Sequence, residues 1–336
     1  MKKIMNKAYI IRTSDHPVVK HYMDVLKLGI SLVCPETEDV SQQYHFDKKK
    51  DFVVCDSPLI SIHYYLRGFK KIITWYQGVS PEESYMNNHS KLRFWVLSWI
   101  EKIMLKHSQM NVLISQQMQS FYEQKYHLKI SNAFLMPCYN SFYLDETVFR
   151  NQNKFSTPSF VYVGGMQKWQ CVEDIVKLYA AIEAQLPDAK LYIYTKDEQA
   201  ANVYMQQYHV KNYEIQFVQP DQLDDALKDK KYGFVLREDI PINQVATPTK
   251  LSNYTANGLI PIYSGCLDSF ARIGAELGIG ICVDKNNIDM SRLIDEINAP
   301  ISLTTVSEKY KKLFQTYYND GYYIELLANL LHRNNE

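Results

Sequence analysis

The feature that most constrains this chain is an alternation that occurs twice. Short β-branched or aromatic segments, KAYIIRT, SLVCP, DFVVCD, KIITWYQG, NVLIS and NAFLMP, are interleaved with helical patterns such as residues 60–67 and 91–107. After a stretch with neither signal, SFVYVGG, KLYIYT, EIQFVQ, YGFVLRE, LIPIYSG and GIGICVD alternate with helical patterns near 171–186, 197–208, 221–229 and 248–257. Short strands separated by amphipathic segments imply parallel pairing with helical crossovers. Each run therefore predicts a doubly wound α/β unit. A single core stops growing at about 250–300 residues, so a chain of 336 residues agrees with two domains.

The connecting stretch, residues 140–157 (NSFYLDETVFRNQNKFST), is rich in Asn, Ser and Thr and has no clear period. The predicted domains are 1–150 and 151–306. The tail, 307–336, reads as two helices broken near Asp320 and Gly321 that cross back onto the first domain. With 37 basic and 37 acidic residues the formal charge is zero, so nothing global argues for nucleic acid and any electrostatic function is local. The six cysteines include no CxxC and no His/Cys pair at zinc-ligand spacing, and read as reduced core residues. No apolar run reaches the roughly 18 residues of a membrane span, and MKKIMNKAYIIRTSD lacks a signal-peptide core. The expectation is a cytoplasmic protein.

In open parallel sheets, ligands bind beyond the carboxyl ends of the strands. Four features of the second run map there. VGGMQKWQ ends a strand with Gly164 and Gly165, which let backbone approach a ligand, followed by Lys168, Trp169 and Gln170. Arg237 ends YGFVLRE, beside Glu238 and Asp239, which offer it an internal salt bridge as the alternative to a ligand. TPTKLSNYTANGLIPI reads as a helix of roughly ten residues, with Thr247 as N-cap, Pro248 in the first position and Gly258 just past the end. Lys250 then sits on the positive end of the helix dipole, a cost of ~0.3–1 kcal/mol unless an anion joins it and the free N–H groups of Thr249 and Lys250. The loops after KLYIYT and EIQFVQ, with Thr195, Lys196, Val218, Gln219 and Pro220, are placed to flank a base. The dinucleotide fingerprint GxGxxG is absent, which argues against a nicotinamide enzyme.

With these elements in order, the second half resembles the nucleotide-sugar-binding domain of GT-B glycosyltransferases, in particular the retaining family 4 group that builds bacterial surface polysaccharides. FVYVGGMQKWQ is similar to that group's strand and glycine loop. FVLREDIPINQVATPTKLSNYTANGLIPI is similar to its PxKxxEY(M/L)xxGxPVI signature. The resemblance covers residues 158–265 well; in the first half, ITWYQGVSPEES, Glu101, VLIS and FLMP follow the order of such an acceptor domain. It implies two Rossmann-like domains facing a cleft, with Arg237 and Lys250 on the donor diphosphate and Lys168 as a further contact. Two positions depart from the pattern: Asn253 stands where the family's ribose-binding Glu is usual, and Val245 where the upstream Glu of its E-x7-E pair would be. Asp239 and Asn243 are candidates for contacting the sugar.

In the first half, Asp15 and His16 follow the first strand, and Gln77 and Gly78 follow another. Glu82 and Glu83 are then the first-turn acids of a helix. His16 is a candidate for sugar or phosphate contact, and Asp15, Gln77, Gly78 and Glu82 for acceptor binding. The segment LRFWVLSWIEKIML, residues 92–105, suits an interfacial membrane helix and equally a helix buried on more than one side.

The expected function is a metal-independent, retaining transferase in surface polysaccharide or glycoconjugate synthesis. It would move a sugar from a nucleotide diphosphate donor, with no other cofactor, to a saccharide acceptor that can be lipid-linked, at the inner membrane face. No strand ends in an Asp-x-Asp pair of the kind that holds a metal under a diphosphate. The alternatives are a non-catalytic GT-B-like partner of another transferase, and a nucleotide-sugar epimerase or hydrolase using Asp15, Glu82 and Glu238.

Overall fold

The computed structural model describes residues 7–14, 16–40 and 47–333. Two compact units result, Met1–Cys138 with Asn319–Glu336, and Tyr139–Tyr318. The first holds β1 (Ala8–Ile11), β2 (Thr37–Asp39), β3 (Phe52–Cys55), β4 (Lys71–Tyr76), β5 (Met110–Leu113) and β6 (Ala133–Leu135). They form one parallel sheet in the order β2-β1-β3-β4-β5-β6. Its helices include α1 (Pro17–Ser31), α2 (Pro58–Leu66), α3 (Ser80–Asn88), α4 (Lys91–His107) and α5 (Gln116–Tyr126).

The second unit holds β7 (Ser159–Val163), β8 (Lys190–Tyr194), β9 (Tyr213–Gln216), β10 (Tyr232–Val235), β11 (Ile260–Ser264) and β12 (Ile281–Val283). These are again all parallel, in the order β12-β11-β10-β7-β8-β9. Such strands are covered on both faces and so are built from apolar runs. Phe160, Tyr232 and Phe234 stack across β7 and β10 with centroids 4.9 and 5.5 Å apart from Phe160.

The doubly wound α/β class predicted from the alternation is the one observed. Individual elements differ. SLVCP is not a strand: Ser31 ends α1, and the N–H groups of Val33 and Cys34 return to the Ile30 carbonyl, so the strand starts only at Thr37. The connection contains a 3-10 turn, Glu146–Arg150, and a short helix, Gln152–Ser156. Residues 139–150 fall in the second unit. The hydroxyl of Ser252 accepts the N–H groups of Asn140 and Ser141, and the Ala256 carbonyl accepts that of Asp145. The tail divides likewise. The helix Leu303–Thr316 stays with the second unit, where Tyr310 donates to the Leu259 carbonyl at 2.7 Å. The helix Asp320–Arg333 packs on α1 in the first.

Candidate functional site

Strand order reverses in the second sheet between β7 and β10, which are adjacent although two strands lie between them in sequence. A doubly wound sheet opens a ligand crevice at the carboxyl ends of that pair. Beyond β7 the chain turns at Gly164, whose φ of +136° suits only glycine. Beyond β10 come Leu236 and Arg237. The helix that carries Lys250 runs Lys250–Ala256, between β10 and β11.

These elements bring two cations to one acceptor. Arg237 is 6% exposed, and its guanidinium donates to the carbonyls of Leu236 (2.7 Å) and Gln170 (3.3 Å) and to Gln170 Oε1 (2.7 Å). The Lys250 ammonium donates to the same Gln170 Oε1 and to the Tyr162 hydroxyl at 3.3 Å, and lies 4.6 Å from the centre of the Tyr162 ring. Among the described residues neither cation has a carboxylate within ion-pair distance. Burial pushes the Lys250 amine well below its ordinary value, and the positive charge of Arg237 pushes it further. Burial likewise lowers Arg237. Two unpaired cations held together in this way cost free energy that an arriving anion would return.

Gly164 makes room for the arrangement: a Cβ built there would stand 2.8 Å from both Cε and Nζ of Lys250. Beside Arg237 a cavity of about 390 Å³ opens at the ends of β10 to β12, lined also by Asp239, Ser264, Cys266 and Lys285. Ser264 orients the arginine by accepting its backbone N–H at 2.8 Å.

The helix is shorter than predicted and starts later. Leu251 and Ser252 bond back to the carbonyls of Pro248 and Thr249, so the entry is a 3-10 turn. Thr249, not Thr247, is the flanking residue, and its side chain makes no capping bond. Lys250 therefore occupies the first helical position of seven, on a helix too short to offer a long dipole. At the other end Gly258 adopts φ +70°, as predicted for the residue past the helix.

The remaining donor-site candidates scatter. Lys168 is exposed and bonds to neither Arg237 nor Lys250. Gly165 accepts the Tyr162 hydroxyl at 2.6 Å. Thr195, 2% exposed, closes a turn by accepting the Asp197 N–H, and Val218 is half-buried after β9. Asp239 is exposed and accepts from Gln244, while Asn243 is buried and donates to the Glu238 carbonyl. Asn253 donates to the Ser141 hydroxyl at 3.0 Å. The sequence carried no signal for Tyr162 or for the role of Gln170, since both are neutral and lie in ordinary strand and turn contexts.

In the first unit His16 is exposed and caps α1, its ring accepting the Val18 N–H at 3.4 Å. Asp15 lies outside the described residues. Gln77 donates to the Asp56 carbonyl at 2.9 Å, Gly78 accepts the Tyr122 hydroxyl at 3.1 Å, and Glu82 pairs with Lys125 at 2.7 Å. Glu82 thus belongs to an internal cluster with Glu101, Lys125, Tyr122 and Tyr126, which the helix-dipole reading of its sequence position did not foresee.

No protein family and no curated protein matches this sequence. Solved structures do resemble it. Sucrose-phosphate synthase from Thermosynechococcus elongatus is similar with a TM-score of 0.70 at 14% identity, covering 98% of each chain. The lipopolysaccharide outer core galactosyltransferase WaaB, in its apo form, gives 0.67 at 12% identity, over 98% of this chain and 100% of that one. A variant of S. aureus TarM in complex with fondaparinux, alpha-GlcNAc-glycerol and UDP gives 0.62 at 9% identity, over 84% of this chain. The chain spans 55% of that longer protein. Two parallel six-stranded sheets with flanking helices, shared with these glycosyltransferases, give the chain the GT-B fold.

Proposed function

We propose that this chain is a glycosyltransferase that moves a sugar from a nucleotide diphosphate donor to a saccharide acceptor. The observation that carries the reading is the pair Arg237, buried, and Lys250, half-buried, which share Gln170 Oε1 and have no carboxylate within ion-pair distance among the described residues. A diphosphate supplies the missing negative charge in the ground state. As the bond to the sugar breaks, charge develops on the leaving phosphate, and two preorganised cations stabilise it where no metal is needed. The cavity beside Arg237 would receive the sugar. The UDP in the TarM complex belongs to that protein and agrees with this donor class, and the galactosyltransferase activity named for WaaB belongs to that protein and agrees with sugar transfer.

The finer assignment follows the resemblance to family 4: retention of configuration, with the acceptor attacking on the face from which the diphosphate departs. It also covers a role in surface polysaccharide or glycoconjugate synthesis. The protein's part would be positioning and charge stabilisation. A second reading is favoured by Asn253, whose amide is engaged with Ser141 rather than free: a chain that binds nucleotide sugar and supports another transferase without turning over.

The test is thermal stabilisation by a panel of nucleoside diphosphates. At a hundredfold excess over Kd a ligand stabilises by ~2.7 kcal/mol, so at least one nucleotide should raise the melting temperature, and Lys250→Ala and Arg237→Ala should abolish the rise. No stabilisation of the parent protein, or equal stabilisation of both variants, overturns the diphosphate site. Donor hydrolysis in EDTA then separates the two readings and tests metal independence: turnover that survives chelation supports the transferase, and turnover lost on chelation removes the metal-free mechanism.

A further inference from the structure

Helix α4 is apolar on two sides. Ser98, Glu101, Met104 and Leu105 face inward and are buried. The opposite side carries Leu92, Trp95, Val96 and Trp99, spaced so that they form one stripe along an α-helix. These residues are not covered: Leu92 is 76% exposed, Trp95 70% and Trp99 61%. Lys91, Arg93 and Lys106 are exposed on the same helix, and its one carboxylate, Glu101, lies on the buried side. The neighbouring α2, packed against α4, has no acidic residue and exposes Leu59 and Leu66, with the exposed Arg67 just past its end. Water-facing indoles are costly, and a contiguous apolar stripe of this kind marks a contact surface.

We infer that α4 docks the first unit onto the surface of an anionic lipid bilayer, lying in the plane of the interface. Trp and Leu side chains enter the boundary between headgroups and acyl chains, where the indole N–H stays hydrated, while the flanking cations meet lipid phosphates. The cationic rim selects this occupant. A second copy of the chain would bring an equally basic face against it. A spanning mode does not apply, because no helix among the described residues is long and apolar enough to cross a membrane. The inference does not rest on the donor-site reading.

The test is flotation of the full chain with vesicles of phosphatidylcholine alone and of phosphatidylcholine with phosphatidylglycerol, without nucleotide, at low and high salt. The chain should float with the anionic vesicles at low salt and be released by high salt. Trp95→Ser with Trp99→Ser should abolish flotation, and replacing Lys91, Arg93 and Lys106 by Gln should weaken it ~100-fold, at about fivefold per charge. All five side chains are exposed, so unchanged melting temperatures confirm that the variants fold. Absence of flotation, flotation unaffected by the tryptophan changes, or a dimer in light scattering that those changes dissociate would each overturn the docking surface.

Discussion

At the scale of single residues the site turns on how Lys250 is held. Its amine reaches Gln170 and Tyr162 only because Gly164 leaves the space, at a backbone angle other residues rarely adopt. Gly164→Ala should therefore act twice. The added methyl meets Lys250 Cε and Nζ at 2.8 Å, and the left-handed backbone adds strain, together on the order of 1–3 kcal/mol. Displacement of the amine should also weaken nucleoside diphosphate binding about as much as Lys250→Ala does; unchanged binding by calorimetry would separate Gly164 from the site. Arg237 and Lys250 were legible in the sequence because strand ends and a helix start are readable, and a cation at either is conspicuous. Gln170 was not, since a neutral amide that two cations share has no charge pattern. Thr195 shows the converse: its position after β8 is as expected, but its side chain is buried and its hydroxyl accepts the Asp197 N–H.

At the scale of elements, the Lys250 helix holds more than a cation. Ser252 is fully buried, donates to the Thr249 carbonyl at 2.7 Å and accepts two N–H groups from Asn140 and Ser141. Asn253 adds a bond to the Ser141 side chain. The segment that leaves the first unit is thereby tied to the helix carrying the cation. Ser252→Ala should cost about 1–2 kcal/mol in urea denaturation through the lost acceptor, and amide exchange at Asn140 and Ser141 should accelerate while exchange in β7 does not. Equal protection of both segments would refute the tie. This contact links residues more than a hundred apart in sequence, so no local pattern announced it, and it also explains why residues 139–150 sort with the second unit. The helix start was misjudged for a different reason: Thr-Pro is a good opening for a regular helix, but the chain uses it for a 3-10 turn.

At the scale of the whole molecule, the alternation of strands and helices made both parallel sheets readable, whereas the path of the tail was not, because two amphipathic helices say nothing about which sheet each will cover. Each unit also buries an ionisable group, with opposite consequences for stability. In the first, Glu101 is 1% exposed and accepts from Tyr122, Tyr126 and Lys125; burial outweighs these donors and raises its carboxyl to about 7. In the second, Lys154 donates to the Asn257 carbonyl, and burial lowers its amine to about 7. The unfolded chain ionises Glu101 near its ordinary 4.5, so between that value and about 7 rising pH favours unfolding, with no further loss above. Lys154 in the unfolded chain keeps its proton to about 10.5, so stability is regained as pH rises from about 7 toward that value. The contribution is at most on the order of 3 kcal/mol for Glu101 and about 5 kcal/mol for Lys154. Urea midpoints measured against pH should accordingly lose part of their acid-side decline in Glu101→Gln and part of their alkaline-side rise in Lys154→Met. A variant whose profile runs parallel to the parent's across its window would show that the group concerned is not held at its shifted value, because only a difference in protonation between folded and unfolded chains can bend that profile.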